Sequence, residues 1–573
     1  MSQTRRCMRA DYMRYRARMS STTDRRRSFW AWGFEDQLPT QDARQVLAQS
    51  AAALLGVAAP EPCPPPDFAN LALPPPRVAP PSALVDYCTV DARERALHTY
   101  GKSFLDQLRA FALDFSSPPD FVILPRDEAE VIAALSACAA SGIAVVPFGG
   151  GTSVVGGVEC PLPQGGRGIA SLDLRHLNRV LEVDPVSRSA RIQAGASGPQ
   201  IEAQLASHGF SLRHYPQSFE FSTLGGWLAT HAGGHFATVY THIDDLVQAV
   251  RLVTPREPNG IVQTRRLPAS GAGPLPERLF LGCEGTLGVF TEAWLRVQKR
   301  PHLRSSASVA FPDMPSAVAA TQAVAQSGLF PSNCRLLDSG EAMLAGAGTQ
   351  PTLLLGFESA ERPVRERLES ALSLALSHGG SCPQGPQHRE GEPNRGSGSD
   401  AASPPSSEAW RQAFLAAPYR QSALLCSGFL ADTFETACTW QSFPALSRAV
   451  RKAVRDALVS HCGAGHLMMR FTHVYPDGPA PYFTYVAPLP GWSGPRDHAA
   501  MVPRATAAWH AVKTAASDAI LEHGGTITHH HAVGRMHKPW YIRESPPLVS
   551  AALRAIKQTL DPHALLNPGV LLD

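Results

Sequence analysis

The sequence has little that would mark a secreted, membrane-spanning or nucleic-acid-binding protein. Its 11 cysteines include no C-x-x-C pair, which argues against a structural zinc site and a small disulfide scaffold. No uncharged apolar run approaches the roughly 20 residues that a transmembrane helix requires. The 52 basic and 49 acidic side chains nearly balance, so the net charge gives no indication of nucleic-acid binding. For a chain of 573 residues, these absences predict a soluble, globular, multidomain protein.

The chain begins with a basic segment that has no long apolar core. Residues 1–27 contain nine arginines and two aspartates, a pattern found in organelle transit peptides, in basic tails and upstream of a misassigned start before Met19. We therefore expect the fold to begin near residue 28. The prolines of residues 60–81 predict an extended connector, and residues 382–408, with almost no large apolar side chain, predict a mobile surface loop.

Apolar periodicity predicts alternating strands and helices between residues 115 and 300. Helical spacing occurs over Glu128–Ser141, whereas residues 143–148 (IAVVPF), 188–194 (RSARIQA) and 289–297 (VFTEAWLRV) have the composition of strands. This alternation predicts an α+β architecture, with a second α/β region after residue 301.

A run of three glycines follows the first of these strands. Gly149, Gly150 and Gly151 are succeeded by Thr152 and Ser153. Consecutive glycines permit positive φ values and remove β-carbons, so neighbouring backbone N–H groups can converge on a diphosphate. The loop matches neither a P-loop nor the G-x-G-x-x-G motif, and taken alone such a run is also found in ordinary turns.

Two further glycine-containing segments follow in order. Residues 218–227 read SFEFSTLGGW, and residues 284–290 read EGTLGVF. Each alone fits a loop or a hairpin. In this order, the three segments resemble the FAD-binding domain of the vanillyl-alcohol oxidase and p-cresol methylhydroxylase superfamily. The resemblance implies a two-subdomain FAD-binding domain, an α/β substrate (cap) domain and a C-terminal segment that returns to the flavin domain.

The same resemblance implies which residues contact FAD. In that superfamily the first glycine loop holds the pyrophosphate, and the later segments line the adenosine and the flavin ring. Thr152 stands where some members carry a histidine that attaches the flavin, so we expect noncovalent FAD. The implied cofactor-binding residues are Pro147, Phe148, Gly149, Gly150, Gly151, Thr152, Ser153, Gln217, Ser218, Phe219, Glu220, Phe221, Ser222, Thr223, Thr230, His231, Ala232, Gly233, Glu284, Gly285, Thr286, Leu287, Gly288, Val289 and Phe290.

Further motifs narrow the resemblance to one family. The segments CRLLD, DTFET, YFT and GGTITHHHAVGR follow the flavin motifs in order. Over about residues 85–573 the chain resembles alkyldihydroxyacetonephosphate synthase and its bacterial relatives. The resemblance implies exchange of the acyl group of acyl-dihydroxyacetone phosphate for a long-chain alcohol, a step of ether-lipid synthesis. In that family the exchange proceeds through an adduct at flavin N5 without net oxidation.

By match to this family, the catalytic residues are Tyr482, His529, His530, His531 and Arg335. Tyr482 corresponds to the tyrosine that handles the substrate proton, and the histidines and the arginine suit a phosphate or a leaving carboxylate. Tyr485 is the second choice. Residues three apart on a strand point to opposite faces, so only one of the two tyrosines can reach the flavin. No carboxylate or cysteine pattern accompanies the histidines, so we expect no dedicated metal site.

One departure from the family pattern concerns substrate binding. The family carries an arginine where this chain has Gln421, and the neighbouring Arg420 is offset by one residue. On a regular element Arg420 would point elsewhere, which would weaken phosphate or acyl-chain binding. We assign Arg420, Gln421 and Thr433 to substrate binding.

The sequence leaves a second activity open. Flavoproteins with the same loop include FAD-linked oxidases or dehydrogenases of D-2-hydroxy acids, such as D-lactate dehydrogenases, and a catalytically silent FAD protein is a third alternative. The expected partners are small lipid substrates or a hydroxy acid, with peripheral membrane contact and a homodimer left open and no nucleic acid. We expect a cytoplasmic location, with organelle targeting left open. The predicted domains are a basic tail (1–27), a helical and proline-rich region (28–114), the FAD-binding domain (115–300), the cap domain (301–500) and a C-terminal segment (501–573).

Overall fold

The protein is described by a computed structural model over residues 25–161, 167–256, 260–391, 417–494 and 498–572. Within these ranges it combines parallel and antiparallel sheets with flanking helices, which confirms the predicted α+β class. Residues 1–24 of the predicted basic tail and residues 392–408 of the predicted loop lie outside these ranges.

Two main sheets build the region that carries the glycine loop. The first is four-stranded, in the order Cys88–Thr89, Phe121–Ile123, Ile169–Asp173, Ala144–Phe148. The second is antiparallel, in the order Val180–Asp184, Ser189–Gln193, Val289–Arg296, Val247–Val253, Ile261–Gln263. A two-stranded sheet pairs Phe210–Ser211 with Gln298–Lys299. The helix Glu128–Ala140, capped by the Asp127 side chain, buries Val131, Ala134, Leu135 and Cys138 in the core of this region. The helix and the three strands predicted between residues 115 and 300 are all present, within about two residues of the expected ends.

A seven-stranded antiparallel sheet forms the second region. Its order is Gln387–Glu390, Leu303–Ala310, Thr352–Ser359, Asn333–Leu337, His466–Val474, Pro479–Pro488, Phe429–Glu435. The edge strand Gln387–Glu390 falls in the segment predicted to be a loop, so that prediction is wrong for these four residues. They are polar, but an exposed sheet edge tolerates polar and charged side chains on a strand that is paired on one side only.

Helices cover the sheets and the connections between them. The helix Phe443–Cys462 buries Leu446, Val450, Val454 and Leu458, spaced four residues apart, in the same core as the seven-stranded sheet. The other α-helices are Gln41–Leu55, Ala92–Leu97, Phe104–Phe111, Gly198–Ala206, Leu224–Thr230, Pro276–Phe280, Met314–Gln326, Ser339–Leu344, Arg365–Ser377, His498–Glu522, Lys538–Glu544 and Pro547–Leu560, and residues 417–426 are also helical. None of the helices in the described ranges combines the length and apolar character needed to cross a bilayer.

The two ends of the described chain tie the regions together. The helix Gln41–Leu55 packs Ala48 and Ala52 against Phe429 and Val486 of the seven-stranded sheet. Near the other end, the N–H of Val145 donates to the Leu565 carbonyl at 2.9 Å. The C-terminal segment therefore returns to the glycine-loop sheet, as the superfamily resemblance implies.

Candidate active site

A cavity of about 410 Å³ lies between the glycine-loop region and the seven-stranded sheet. One side of it is formed by Gly149–Ser153, which we call the backbone wall. The opposite side is formed by side chains of Phe429–Glu435, His466–Val474 and Pro479–Pro488, which we call the side-chain wall. An apolar arm of the cavity reaches the helix Gln41–Leu55.

The glycines of the backbone wall are held where no β-carbon fits. A Cβ on Gly149 would lie 2.3 Å from Thr223 Oγ1, and one on Gly150 would lie 2.1 Å from the Phe221 carbonyl oxygen. Within the described chain, none of the N–H groups of residues 149–153 donates a hydrogen bond. Buried or partly buried amides normally find acceptors. Successive amides turned toward a cavity fit a diphosphate, so this wall fits the pyrophosphate of FAD.

Only part of the implied cofactor-binding set lines this cavity. The residues that line it are Gly149, Gly150, Gly151, Thr152, Ser153, Gln217, Ser218, Ser222, Thr223, Thr230, Ala232 and Gly233. Pro147, Phe148, Phe219, Glu220, Phe221, His231 and Glu284–Phe290 do not line it. Two of the latter lie behind the wall. The Phe148 ring packs on His98 at 4.2 Å between centroids, and the Phe221 carbonyl is the atom that excludes a side chain at Gly150.

Arg27 supports the backbone wall from the N-terminal segment. Its Nη2 donates to the Gly150 carbonyl oxygen at 3.0 Å, and its guanidinium lies 4.6 Å from the centroid of the Phe221 ring. Burial lowers the pKa of Arg27. The predicted end of the basic tail at residue 27 is therefore wrong, because this arginine is part of the packed site.

Glu284 joins the C-terminal segment to the flavin region. Its carboxylate oxygens accept the N–H groups of Val533 and Gly534 at 2.9 and 2.8 Å, and its carbonyl accepts from Asn567 Nδ2 at 2.8 Å. Burial raises the pKa of this carboxyl to about 7, although the two amides act in the opposite direction. In this structure Glu284, an implied cofactor contact, acts as a clamp between two parts of the chain.

Strand register assembles the side-chain wall around Tyr482. Tyr482 lies opposite Glu435 on one neighbouring strand and opposite Arg470 on the other. Its hydroxyl donates to Thr433 Oγ1 at 3.0 Å, and the Arg470 guanidinium lies 4.0 Å from the centroid of its ring. Burial raises the pKa of Tyr482, while Arg470 and the Thr433 hydrogen bond favour its ionised form. Tyr485 is fully buried and packs against the aromatic core at Phe434, 6.2 Å between centroids, although its edge also reaches the cavity.

Two buried arginines, Arg335 and Arg470, line the cavity near the side-chain wall. Arg470 Nη1 donates to both oxygens of Glu341 at 3.0 and 3.1 Å. Arg335 donates from Nη2 to the His235 carbonyl oxygen at 2.6 Å. Burial and the nearby Arg470 lower the pKa of Arg335 to about 9. Guanidinium groups at a cavity suit an anionic ligand, because they bind its oxygens through charge-assisted hydrogen bonds.

Arg420 and Gln421 both line the cavity, which corrects the expectation that the offset arginine would point elsewhere. Adjacent side chains on a helix differ by about 100° in direction. The cavity is wide enough for both side chains to reach it. Gln421 Nε2 donates to the Ala431 carbonyl oxygen at 3.0 Å and to Asp432 Oδ1 at 3.3 Å. Arg420 has no hydrogen-bond or ion-pair partner among the described residues, and burial lowers its pKa. The N–H groups of Arg420 are therefore available to bind a ligand in the cavity.

The three consecutive histidines are positioned by one buried carboxylate. The oxygens of Glu435 accept the N–H groups of His529, His530 and His531 at 2.6, 3.2 and 2.9 Å. His530 and His531 line the cavity, and the His530 ring stacks on Tyr482 with 5.9 Å between centroids. His529 does not line the cavity. Burial lowers the pKa of all three imidazoles, that of His530 to about 4, so the rings are neutral.

Sequence reasoning missed Arg470 and Tyr475. Arg470 stands in the strand HLMMRFTHV, where the alternation of side chains puts it on the same face as Met468 and Thr472. An arginine between Met469 and Phe471 on a strand is a usable signal for a buried charge. Nothing local marks Tyr475, whose hydroxyl lies 2.7 Å from His529 Nε2.

Two family models match most of the chain. A model described as FAD binding domain matches residues 119–261, and one described as FAD linked oxidases, C-terminal domain, matches residues 300–571. FAD is accordingly the cofactor of this chain, in agreement with the backbone wall. Thr152 in the loop agrees with noncovalent attachment.

Among relatives, two are alkyldihydroxyacetonephosphate synthases. The protein of Dictyostelium discoideum is 31% identical over 504 residues, which cover 85% of this chain and 79% of the relative. That of Trypanosoma brucei brucei is 29% identical over 498 residues, covering 85% and 78%. A solved structure of an alkyldihydroxyacetonephosphate synthase superposes with a TM-score of 0.71 at 26% identity, covering 89% of this chain and 88% of that chain.

Oxidoreductases are also similar to this chain, but at lower identity than these two synthases. The mitochondrial D-lactate dehydrogenase [cytochrome] of Arabidopsis thaliana is 26% identical over 509 residues, covering 85% of this chain and 78% of the relative. A structure of p-cresol methylhydroxylase superposes with a TM-score of 0.61 at 14% identity, covering 93% and 98%, and confirms the superfamily fold alone. Together with the arrangement of the two walls, these similarities establish that the chain belongs to the alkyldihydroxyacetonephosphate synthase family.

Proposed function

We propose that this chain is an FAD-dependent alkyldihydroxyacetonephosphate synthase, which exchanges the acyl group of acyl-dihydroxyacetone phosphate for a long-chain alcohol. The observation that carries the proposal is the placement of Tyr482, Arg335, Arg420 and Arg470 around one cavity that also contains the backbone wall. Family membership supports the same activity over oxidation of a hydroxy acid.

The arginines account for the anionic parts of the substrate. The phosphate of the substrate and the carboxylate that departs both carry negative charge, and guanidinium groups bind such oxygens with strong, charge-assisted hydrogen bonds. Arg420, which makes no hydrogen bond or ion pair within the described chain, would hold the phosphate, and Arg335 and Arg470 would stabilise the departing carboxylate. Gln421 and Thr433 would orient the same ligand through neutral hydrogen bonds.

Tyr482 is the group that would exchange a proton with the substrate. A tyrosine acts as a general base only where its ionised form is stabilised, and Arg470, above its ring, supplies a positive charge. Bound FAD would supply the reactive ring on which the acyl and alkyl groups are exchanged. The neutral His530 and His531 beside Tyr482 would accept or donate protons without adding charge.

The apolar arm supports a long-chain substrate. It is lined by Leu47, Ala51 and Leu54 of the N-terminal helix and by Leu424 and Val486. Burial of methylene groups in such an arm contributes about 0.8 kcal/mol each. Leu54 and Leu344 line the cavity and are also 43% and 48% exposed, so we propose that this end meets a lipid surface.

The experiment is an anaerobic incubation of the FAD-loaded protein with acyl-dihydroxyacetone phosphate and a long-chain alcohol labelled with ¹⁸O. Mass spectrometry should find the label in an alkyl ether and an equal amount of unlabelled fatty acid. Absence of ether, together with bleaching of the flavin by D-lactate, would replace this proposal with hydroxy-acid oxidation.

A further inference from the structure

A continuous chain of hydrogen bonds leads out of the cavity from His530. His530 Nδ1 lies 3.0 Å from His529 Nδ1, and His529 Nε2 lies 2.7 Å from the Tyr475 hydroxyl. The Tyr475 hydroxyl donates to Thr241 Oγ1 at 3.3 Å, and the Thr241 hydroxyl lies 3.3 Å from Asp245 Oδ2. Only His530 of these five residues lines the cavity, whereas Asp245 is partly exposed at the opposite end.

The acceptors near Asp245 determine which group donates and which accepts in each hydrogen bond of this chain. The Asp245 carboxylate can only accept. The second neighbour of the Thr241 hydroxyl is His242 Nδ1 at 3.1 Å, and that ring must donate from Nε2, because Nε2 faces the His529 carbonyl oxygen at 2.9 Å. Thr241 therefore donates its proton outward to one of two acceptors, and its oxygen is left to accept from Tyr475.

The same order continues inward to the cavity. With its own proton committed to Thr241, the Tyr475 oxygen accepts from His529 Nε2, which leaves His529 Nδ1 as the acceptor for His530 Nδ1. His530 Nε2 is then unprotonated, and it has no hydrogen-bond partner in the described chain. Neutral rings are required for this order, and burial lowers the pKa of both imidazoles, that of His530 to about 4.

We infer that this chain of five groups is a proton relay that removes the proton of the incoming alcohol from the cavity. The inference rests on the proposed function. In that exchange the alcohol O–H bond breaks and an ether C–O bond forms, while the bond to the acyl oxygen breaks and its electron pair leaves with the carboxylate. One proton per turnover is left over, since the fatty acid departs ionised. His530 Nε2 receives it, each group passes its own proton outward, and Asp245 releases one to water.

The relay can be tested away from the substrate, because Tyr475 does not line the cavity. Tyr475→Phe removes the hydroxyl that joins His529 to Thr241 and keeps the ring. Tyr100→Phe is the matched control, since Tyr100 lies outside the cavity and its hydroxyl donates to a backbone carbonyl, that of Asp114, at 2.8 Å. Both variants should bind FAD and unfold at similar temperatures.

We expect Tyr475→Phe to lower kcat for ether formation at least about tenfold, with KM for the alcohol within about twofold of the wild-type value. Its solvent deuterium isotope effect on kcat should exceed that of Tyr100→Phe, because proton removal becomes the slow step. Tyr475→Ala should recover activity with added imidazole, because Tyr475 also lines an open surface pocket, shared with Gly525 and Thr526, through which a small base can enter.

Equal kcat and equal isotope effects in Tyr475→Phe and Tyr100→Phe would overturn the relay, whatever the behaviour of the alanine variant. Failure of the proposed function would look different, since the wild-type protein itself would then form no ether. Asp245→Asn, which removes the terminal carboxylate, should give a smaller loss than Tyr475→Phe, because His242 Nδ1 remains as an acceptor for Thr241.

Discussion

The two walls of the cavity recognise their ligands by different means. The backbone wall presents main-chain amides from a glycine run, and its close approach to Thr223 and Phe221 leaves no room for side chains. The side-chain wall presents Tyr482 and Arg470 from strands that are held in register, with the neutral imidazoles of His530 and His531 held beside them by Glu435. Amides suit a ligand whose shape and charge are always the same, such as a cofactor diphosphate. Side chains can be replaced without rebuilding the fold, so the substrate is recognised there.

The sharpest difference between the walls should appear at Tyr482. Tyr482→Phe removes the hydroxyl beside Thr433 but keeps the ring and its contacts, so we expect kcat to fall about 100-fold or more at normal FAD content. The labelled-alcohol assay and the flavin absorbance measure the two quantities. An equal loss in Tyr485→Phe would show that the assignment to Tyr482 is wrong.

The converse change is Gly150→Ala in the backbone wall. A β-carbon there would lie 2.1 Å from a carbonyl oxygen, and the required shift costs about 1–3 kcal/mol, so FAD should bind about tenfold to 100-fold more weakly. Titration of the flavin-free protein with FAD measures this affinity. Gly271→Ala is the control, because a β-carbon at Gly271 meets no atom within 4 Å. Unchanged FAD affinity in Gly150→Ala would contradict the backbone wall.

A substitution of Arg420 tests substrate binding separately from FAD binding. Arg420→Ala should raise KM for acyl-dihydroxyacetone phosphate about tenfold, because a hydrogen bond to a charged group contributes about 1.5–3 kcal/mol. Stability should hardly change, since the guanidinium makes no hydrogen bond or ion pair in the described chain. Arg420→Lys, which keeps the charge but loses the planar fork, should fall between the two. A wild-type KM in Arg420→Ala would assign the phosphate to another group.

The smallest effect concerns Glu284, which joins the C-terminal segment to the region behind the backbone wall. Its pKa is raised to about 7 in the folded protein, above the value of about 4.3 in an unfolded chain, so it binds more protons when folded. Its contribution to stability is therefore complete below about pH 4 and is lost as the pH rises to about 7, by at most about 1.4 kcal/mol per pH unit. Relative to Glu284→Gln, the wild-type Tm should fall across this range. A parallel pH dependence of both proteins would contradict the raised pKa.

The contrast between the walls also explains what the sequence could predict. Gly149–Gly151 lie next to one another in the chain and form a short motif, which became a cofactor loop once the two later glycine segments and the family resemblance were added. The strands around it follow from their apolar composition. Tyr482, Glu435 and Arg470 come from three strands, and only register places them together. Tyr482 was accessible through family resemblance, whereas Arg470 carried no motif and was missed.

Two other misses have physical reasons of the same kind. Arg27 was assigned to a tail because basic residues dominate its surroundings in sequence, yet it contacts Gly150, more than 120 residues away. Arg420 was expected to point away because a one-residue offset matters on a narrow face. The breadth of the cavity, which no local pattern encodes, brings it in with Gln421.

The most direct test of the division between the walls is to measure FAD affinity and substrate KM in Gly150→Ala and Arg420→Ala side by side. We expect each variant to lose one property and keep the other. Gly150→Ala should bind FAD weakly but show a near-normal KM for acyl-dihydroxyacetone phosphate once saturated with FAD, and Arg420→Ala should bind FAD normally with a raised KM. If each variant lost both properties to the same extent, the two walls would not be separate binding surfaces.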